Sequence, residues 1–393
     1  MMPRLLLIAY HYPPENTSGA ARPARLARYL PEAGVECRVI ARGSAEPVTE
    51  ADAPAYQRWL CEKVQRFLLP YNERLPWLPA AVRAGSDLIR RERIDALYST
   101  SPPLVTHLVA MELSRRFGLP WVADFRDPLV GNPWRRRRFR QYDPWLERRI
   151  FDRAALCLAN TDSLADEWRK AHPAQAEKIR VLWNGYDPEA PVAEPVPQAG
   201  GPRTLLHAGS LYGFRRPGPL VRALARLAGE GRVTADQWRL VLLGPLEPEV
   251  FDDCRAERER LEAAGLLRVE GRLASREEAA AAQSSADVLV ILDNSALESS
   301  MQVPAKLFEY VRTGQPILAW TPEGSPTRRL LERCGLDTLT LRPNLGDEET
   351  AEALAGFLAR PLFRRPMSDW FREQFDGRLQ AQALARDIRG VLR

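Results

Sequence analysis

The sequence has few of the residues that build covalent or metal-linked frameworks. Its 393 residues include five cysteines and four histidines. The cysteines are odd in number, lie far apart and form no Cys-x-x-Cys pair, which argues against a disulfide framework and a structural zinc site. The histidines are scattered without the spacing of a metal-ligand set. We therefore expect reduced thiols and no bound metal.

Long apolar runs and the common nucleotide signatures are also missing. No run approaches the roughly 20 apolar residues that span a bilayer. The opening run, Leu5 to Tyr10, is short for a signal peptide and has no small-residue cleavage site after it. No Walker A sequence occurs, and no GxGxxG motif follows an opening strand. We expect a cytoplasmic protein that can still act peripherally on the inner face of a membrane.

The composition and the alternation of elements indicate two domains. Hydrophobic residues make up 45% and charged residues 27%, as in globular proteins. Apolar strand-length runs alternate with helical patterns twice, which predicts an α/β fold of two doubly wound, Rossmann-like domains. We place the domains at 1–187 and 203–365, joined by a Pro-rich linker at 188–202. A last amphipathic helix over about 368–392 lies in the segment 366–393. The carboxyl ends of the two sheets would face a central cleft, where ligands bind.

The positive charge is concentrated in the first half. Residues 1–195 carry 29 Lys and Arg against 24 Asp and Glu, whereas 196–393 carry 27 of each. A run of tryptophan and arginine explains this excess; its members include Trp134, Arg135, Arg136, Arg137, Arg138 and Trp145. Such a run suits an anionic membrane surface. The alternative is a solvated basic helix whose aromatic side chains pack inward. No nucleic-acid-binding module surrounds the run, so no nucleic acid is expected as a partner.

A helix in the second half carries a cation at its start. Pro304 suits the first helical position and Gly314 the end, with Ala305, Phe308 and Val311 as the expected buried stripe. Lys306 beside the positive end of the helix dipole could bind a diphosphate. Glu309, one turn on, could accept hydrogen bonds from a ribose diol. The alternative is a solvated Lys–Glu pair worth about 0.3 kcal/mol.

The strand that ends at Gly209 leads into a second candidate loop. Small residues there would let backbone approach a phosphate, and Arg215 could bind it bidentately. The alternative is an ordinary β–α turn with exposed arginines. In the first half, Asp124 and Asp127 follow another predicted strand. One of them could contact a substrate, or one could simply cap the turn before Pro128.

Taken in order, six segments resemble the GT-B glycosyltransferases of family 4. They are Tyr10-His-Tyr-Pro-Pro14 with Gly19, Ala123-Asp-Phe-Arg-Asp-Pro128, Val181-Leu-Trp-Asn-Gly-Tyr-Asp187, His207-Ala-Gly-Ser-Leu-Tyr-Gly213 with Arg215, Val269-Glu-Gly-Arg-Leu273 and Lys306-Leu-Phe-Glu-Tyr310. The resemblance extends over nearly the whole chain. It implies a GT-B fold in which the final helix crosses back to the N-terminal domain.

The resemblance also implies an activity. Such an enzyme transfers a sugar from a nucleotide-diphosphate sugar with retention, needs neither metal nor cofactor, and uses a glycan or lipid-linked acceptor in surface polysaccharide biosynthesis. The implied donor-binding positions are Gly19, Gly209, Ser210, Arg215, Arg272, Leu273, Lys306, Leu307 and Glu309. Asp127 matches an acceptor-side acid, and Asp124 is the second catalytic candidate.

Two positions depart from the family pattern. Met301 stands where many members have the first glutamate of an E-x7-E pair, and Arg126 stands where a histidine is frequent. Because that glutamate usually contacts the sugar, the donor sugar stays open. Two other functions therefore remain in view: a catalytically silent GT-B binding protein, and a GT-B sugar-nucleotide epimerase.

Overall fold

The chain folds into two compact units. The computed structural model describes residues 2–15, 17–43, 47–68, 73–132, 140–194, 200–213, 215–272, 274–293 and 301–392. The first unit comprises Met1–Pro188 and Gln374–Arg393, and the second comprises Glu189–Glu373. Each unit contains a six-stranded parallel sheet with helices around it. This confirms the predicted α/β fold class.

The sheet of the first unit has the strand order β2-β1-β3-β4-β5-β6, and every pair is parallel. Its strands are β1 (Arg4–Ile8), β2 (Glu36–Ile40), β3 (Ala96–Ser101), β4 (Trp121–Phe125), β5 (Leu156–Ala159) and β6 (Ile179–Val181). All residues of β3, β4 and β5 are buried. Continuous apolar strands are expected where helices cover both faces of a parallel sheet.

The helices of this unit include two that the sequence pattern had not assigned, α2 and α3. The α-helices of this unit are α1 (Ser18–Tyr29), α2 (Ala55–Leu68), α3 (Leu78–Arg91), α4 (Val105–Phe117), α5 (Asp143–Arg153), α6 (Asp162–Ala171) and, at the end of the chain, α14 (Gly377–Val391). Short 3-10 helices lie at Glu50–Asp52, Leu75–Trp77 and Pro173–Lys178.

The single final helix expected over 368–392 is wrong in detail. Two helices occupy this segment, α13 (Asp369–Phe375) and α14. The Asp376 carboxylate accepts hydrogen bonds from the backbone nitrogens of Arg378 (2.8 Å) and Leu379 (3.3 Å). A capping side chain satisfies the free N–H groups of a new helix, so it starts α14 here. Leu384 and Ile388 of α14 join the core formed by α1 and β1.

The sheet of the second unit has the order β12-β11-β10-β7-β8-β9 and is also parallel. Its strands are β7 (Arg203–Ala208), β8 (Trp238–Leu243), β9 (Leu267–Glu270), β10 (Val288–Leu292), β11 (Ile317–Trp320) and β12 (Thr338–Leu341). The strand order reverses at β7, which has β8 on one side and β10 on the other. Ligands of open parallel sheets bind at the carboxyl ends of the strands at such a reversal.

The helices of the second unit cover both faces of its sheet. They are α7 (Gly218–Gly229), α8 (Arg255–Ala263), α9 (Arg276–Ser285), α10 (Lys306–Thr313), α11 (Pro326–Arg333) and α12 (Asp347–Leu358), with α13 at the boundary between the units and a 3-10 helix at Pro248–Phe251. An apolar core cluster of this unit lies between β7, β8, α7 and α12.

Candidate functional site

The carboxyl end of β7 places a neutral histidine at the reversal of the second sheet. His207 is fully buried, and its Nδ1 lies 3.0 Å from the carbonyl oxygen of Val290 on β10. A carbonyl only accepts hydrogen bonds, so Nδ1 carries the proton and Nε2 is left as an acceptor. Burial, with Lys306 nearby, holds the pKa of His207 well below its usual value. The imidazole is therefore neutral and aims an acceptor at the cation beside it.

Lys306, the first residue of α10, is that cation. Its Nζ lies 2.9 Å from His207 Nε2. Tyr310 lies one turn further on the same helix face. Its hydroxyl bonds both the nitrogen (2.9 Å) and the oxygen (3.2 Å) of Ala208 at the end of β7. This double hydrogen bond fixes α10 against the strand end and so brings Lys306 to the site.

Gly209 provides the space that the Lys306 side chain occupies. Its φ is +136°, which side chains rarely adopt, and an added Cβ would lie 2.6 Å from Lys306 Nζ. A side chain here would be strained and would also clash with the ammonium group. Gly244, at the end of β8, packs on Gly209 in the same way, because a Cβ there would lie 2.7 Å from the Gly209 carbonyl. Because neither glycine has a side chain, the Lys306 ammonium group can lie against Gly209 at the end of β7, and Gly209 against Gly244 at the end of β8.

The side chains of Lys306 and Arg215 place two positive charges near each other. Burial and the neighbouring Arg215 lower the pKa of Lys306 to about 7, while Asp293 acts in the opposite direction. Within the described part of the chain, neither Lys306 nor Arg215 forms an ion pair. The Arg215 Nε is buried and has no hydrogen-bond partner among these residues. Its Nη1 lies 3.3 Å from the Tyr212 hydroxyl. Two adjacent cations without a paired carboxylate favour an anionic ligand.

The other predicted positions of α10 have different surroundings. Glu309 is exposed, and its carboxylate lies 3.4 Å from Arg312 Nη1. The Leu307 side chain is buried in the core, and its N–H donates to the Pro304 oxygen at 3.0 Å. The expected apolar stripe was partly wrong. Ala305 is exposed, because it is the N-cap residue and the first buried residue of the helix is Leu307. The residues buried there are Leu307, Phe308, Tyr310 and Val311.

The remaining predicted donor positions are either exposed or outside the described residues. Ser210 is exposed in the loop after Gly209. Arg272 is also exposed and forms ion pairs with Glu270 and Glu278, so its guanidinium is already occupied. Leu273 lies outside the described residues. Their predicted roles in donor binding stay predictions.

In the first unit, Asp124 is a fully buried member of an ion pair. It lies near the end of β4, and Arg22 of α1 donates to both its oxygens, with Nε 2.9 Å from Oδ2. The Thr100 hydroxyl donates to the same Oδ2 at 2.8 Å. Arg22 Nη2 also reaches the Leu182 oxygen at 2.7 Å. Both oxygens of Asp124 are thus used in joining α1, β3, β4 and the segment after β6.

Asp127 and Gly19 lie in a second group of residues in this unit. Asp127 is partly exposed. The neighbouring Arg126 donates from Nε to the Ser101 oxygen at 3.3 Å, and from Nη2 to the Pro102 oxygen. A Cβ on Gly19 would lie 2.9 Å from Arg126 Nη1 and 3.2 Å from His11 Cδ2. Gly19 therefore packs against Arg126, the residue that departs from the family pattern.

The basic aromatic run is described only from residue 140 onward. Trp134, Arg135, Arg136, Arg137 and Arg138 lie outside the described residues. The Trp145 side chain on α5 is 63% exposed, with the Arg149 guanidinium carbon 5.6 Å from its ring centroid. Asp143 and Glu147 are buried, whereas Arg148 and Arg149 are exposed. This helix therefore presents basic charge and an aromatic ring to solvent, and Trp145 does not pack inward.

Residues 2–15, 17–43, 47–68, 73–132, 140–194, 200–213, 215–272, 274–293 and 301–392 contain no cluster of three His, Cys, Asp or Glu side chains placed to hold a metal ion. No helix in this described part is both long and apolar enough to cross a bilayer.

Sequence reasoning missed two residues that organise these sites. Tyr310 could have been found, because it lies four positions after Lys306 and must share its helix face. Arg22 could not. Its partner Asp124 is 102 positions away, and the alternating pattern that identifies α1 and β4 does not say which side chains meet.

Comparisons with known proteins agree with this architecture. Residues 21–190 match the sequence model of Glycosyltransferase Family 4. Sucrose-phosphate synthase from Thermosynechococcus elongatus is 17% identical, with a TM-score of 0.67, over 99% of this chain and 98% of that one. The UDP-forming α,α-trehalose-phosphate synthase from Burkholderia vietnamiensis is 14% identical, with a TM-score of 0.66, over 100% and 99%.

An enzyme of another class also shares the fold. UDP-GlcNAc 2-epimerase from Methanocaldococcus jannaschii is 10% identical, with a TM-score of 0.57, over 98% of this chain and 99% of that one. A comparison with curated protein sequences gives no match. The chain thus has the GT-B fold of glycosyltransferases, and its residues 21–190 match Glycosyltransferase Family 4.

Proposed function

We propose that this protein is a retaining, metal-independent glycosyltransferase that uses a nucleotide-diphosphate sugar. The observation that carries the proposal is the pair of cations, Lys306 and Arg215, without a carboxylate partner among the described residues. They lie at the strand-order reversal of the second sheet, where this type of fold binds ligands. The family match and the fold support the same class of reaction.

The donor is bound through its charge. Lys306 and Arg215 neutralise the diphosphate, and both stabilise the negative charge that develops on it as the glycosidic bond breaks. This work is done by a metal ion in many other phosphate sites. Gly209 and Ser210 let backbone approach the phosphates. Glu309, exposed one turn from Lys306, accepts hydrogen bonds from the ribose, and the segment around Arg272 and Leu273 lies along the base.

The acceptor is oriented by Asp127. In a front-side reaction, the acceptor hydroxyl attacks the face from which the diphosphate leaves, and the departing diphosphate takes the hydroxyl proton. Asp127 need not be a base. Its carboxylate orients the acceptor and stabilises positive charge near the anomeric carbon. Asp124 has no free carboxylate oxygen, so we assign it a positioning role that supports the strand end leading to Asp127.

The acceptor is a glycan or lipid-linked sugar in surface polysaccharide biosynthesis, used at the cytoplasmic face of the membrane. The exposed Trp145, Arg148 and Arg149 support this, because an aromatic ring among arginines suits an anionic headgroup region. The rest of the basic run continues the same composition.

The epimerase alternative is retained because a UDP-GlcNAc 2-epimerase shares the fold. Both reactions begin with a bound nucleotide sugar, so the cation pair alone does not separate them. They differ in their products, since transfer forms a new glycoside whereas epimerisation changes one carbon of the donor.

Thermal-shift measurements with UDP, GDP, ADP and their sugars test the proposal first. A ligand at 100 times its dissociation constant stabilises the fold by about 2.7 kcal/mol. Analysis of products from a labelled nucleotide sugar then separates transfer, isomerisation and silent binding. NMR of the anomeric proton tests retention, and addition of EDTA tests metal independence. The absence of binding by every nucleotide would refute a donor site at Lys306 and Arg215.

A further inference from the structure

Helix α2 carries an exposed apolar face. Four of its large apolar side chains are exposed: Tyr56 (68%), Trp59 (58%), Leu60 (54%) and Val64 (37%). Positions separated by three, four and eight residues lie on one side of a helix. In the described residues, the other exposed large apolar side chains occur singly or in small groups, as at Phe363 and Leu379. A contiguous apolar face of this kind marks an interaction surface.

The opposite side anchors α2 to the first unit. Gln65 is buried, and its Oε1 accepts a hydrogen bond from the Leu75 nitrogen at 2.5 Å. Leu75 and Trp77, in the 3-10 helix against which α2 packs, are buried as well. Gln65 and the 3-10 helix around Leu75 therefore hold α2 to the first unit. The exposed apolar side chains lie on the side of α2 away from this contact.

The charges beside this face are mostly basic. Lys63 lies over the Trp59 ring, with Nζ 5.5 Å from the centroid, and Arg66 is exposed. Arg58 is turned away from this face, with Nη1 3.5 Å from the Glu50 oxygen, and Glu62 is the only acid of the helix. Long basic side chains can extend along an apolar surface and keep their charges in water. The combination of Trp, Tyr and Leu with Lys and Arg is typical of helices that lie in the headgroup region of a bilayer.

The positive charge of Lys63 and Arg66 distinguishes between two partners for this face, a second copy of the chain and an anionic lipid surface. If two copies met through this face, the Lys63 and Arg66 side chains of both would come together and repel each other. An anionic lipid surface instead attracts them, each basic residue contributing about 1 kcal/mol close to the surface. A lipid surface can also cover a convex helix face, whereas a protein partner would need a complementary groove.

We propose that the face formed by Tyr56, Trp59, Leu60 and Val64 is a membrane-contact surface for anionic bilayers. The four side chains enter the headgroup region, and Lys63 and Arg66 contact lipid phosphates. This places a membrane contact on a helix other than α5. It extends the membrane location proposed above, but it does not depend on the chemistry at Lys306.

Flotation of the full-length protein with vesicles tests this surface. Phosphatidylcholine vesicles with and without phosphatidylglycerol provide the anionic and neutral arms. We expect binding only to the anionic vesicles. The double variant Trp59→Ser/Leu60→Ser should lower the vesicle partition coefficient by about tenfold or more. Lys63→Glu/Arg66→Glu should weaken the preference for anionic lipid.

Matched variants show whether the effect belongs to α2. Phe363→Ser removes an apolar side chain that is 62% exposed in the second unit, and Leu379→Ser removes one that is 40% exposed in α14. Both should bind vesicles as the unaltered protein does. Circular dichroism and nucleoside diphosphate binding of the double variant should be unchanged, which separates this test from that of the proposed function.

Three results would overturn the inference. They are the absence of binding to either vesicle, equal binding to the anionic and the neutral vesicles, and binding by Trp59→Ser/Leu60→Ser that equals binding by the unaltered protein. A dimer that is abolished by Trp59→Ser/Leu60→Ser in sedimentation velocity, without any vesicle binding, would instead assign this face to a second copy of the chain.

Discussion

The charges near the strand ends of the two units have opposite arrangements. In the first unit, Arg22 and Asp124 neutralise each other, and Thr100 completes the shell of the carboxylate. In the second unit, Lys306 and Arg215 lie together beside a neutral His207, and within the described part of the chain neither has a paired acid. Both groups lie at the carboxyl ends of parallel strands, so their position alone does not distinguish them.

This difference distinguishes charges that stabilise the fold from charges that can bind a ligand. A buried pair contributes to the folded state only while both partners are present, and removal of one leaves an uncompensated charge. Two adjacent cations instead raise the free energy of the folded protein, and a bound anion relieves this repulsion. Perturbed pKa values are common at such binding sites. The following experiments test this contrast, from the largest expected effect to the smallest.

Replacement of Asp124 should have the largest effect on stability. Asp124→Asn leaves the Arg22 guanidinium buried without its counter-charge, so we expect the free energy of unfolding to fall by about 3–5 kcal/mol. Urea denaturation followed by circular dichroism measures it. Asp127→Asn is the matched control, because Asp127 is partly exposed, and it should change this value by no more than about 1 kcal/mol. An equal loss in both variants would contradict the division of roles.

Replacement of Lys306 should affect binding and leave the fold intact. Hydrogen bonds to charged groups contribute about 1.5–3 kcal/mol each, so Lys306→Ala should weaken nucleoside diphosphate binding by roughly 30- to 100-fold. Its unfolding free energy should stay equal or rise, because a cation beside Arg215 has been removed. Calorimetric titration measures the affinity. Lys170→Ala, at an exposed lysine of α6, is the control, and a stability loss in Lys306→Ala would make this lysine structural.

Replacement of Arg215 should weaken diphosphate binding, whereas replacement of its neighbour Arg216 should not. Arg215→Ala removes the guanidinium whose Nε is buried and has no hydrogen-bond partner among the described residues, and we expect diphosphate affinity to fall by roughly 10- to 30-fold. Arg216 is exposed and bonds only the Gly213 oxygen among the described residues. Arg216→Ala should therefore bind as the unaltered protein does. Equal losses in the two variants would indicate a diffuse electrostatic effect instead of a specific contact.

The pH dependence of donor binding should show the smallest effect. Without a ligand, burial and Arg215 lower the pKa of Lys306 to about 7. A diphosphate favours the charged ammonium and raises this pKa, so binding takes up a proton above pH 7. Affinity for a nucleotide sugar should fall by up to about tenfold from pH 6 to pH 8.

Titrations in buffers of different ionisation enthalpy would count the proton taken up. A nucleotide sugar is the appropriate probe, because the terminal phosphate of a nucleoside diphosphate itself titrates in this range. Lys306→Ala should remove the dependence. An affinity that stays constant across this range in the unaltered protein would show that Lys306 is already charged before the donor binds.

Some elements of the site follow from local sequence. The strand ending at Gly209, the helix starting near Pro304 and the cations that flank them were predictable, because strand length, helix punctuation and charge are local properties. The choice between Asp124 and Asp127 was not. The two lie three positions apart in one segment, and only the burial of Asp124 against Arg22 distinguishes them.

The exposed face of α2 is a second feature that the sequence alone could not predict. Apolar spacing on a helix indicates that one face is apolar, but it does not say whether that face is covered. Packing of Gln65 towards Leu75 turns Trp59 and Leu60 outward.

The sequence by itself determined that the chain forms two parallel α/β sheets and where the family motifs lie, because hydrophobic periodicity fixes element type locally. The tertiary structure decided which charges are paired. Arg22 meets Asp124 and Lys306 meets His207 across 102 and 99 positions. Contacts over such separations depend on strand order and on which face of each helix is buried.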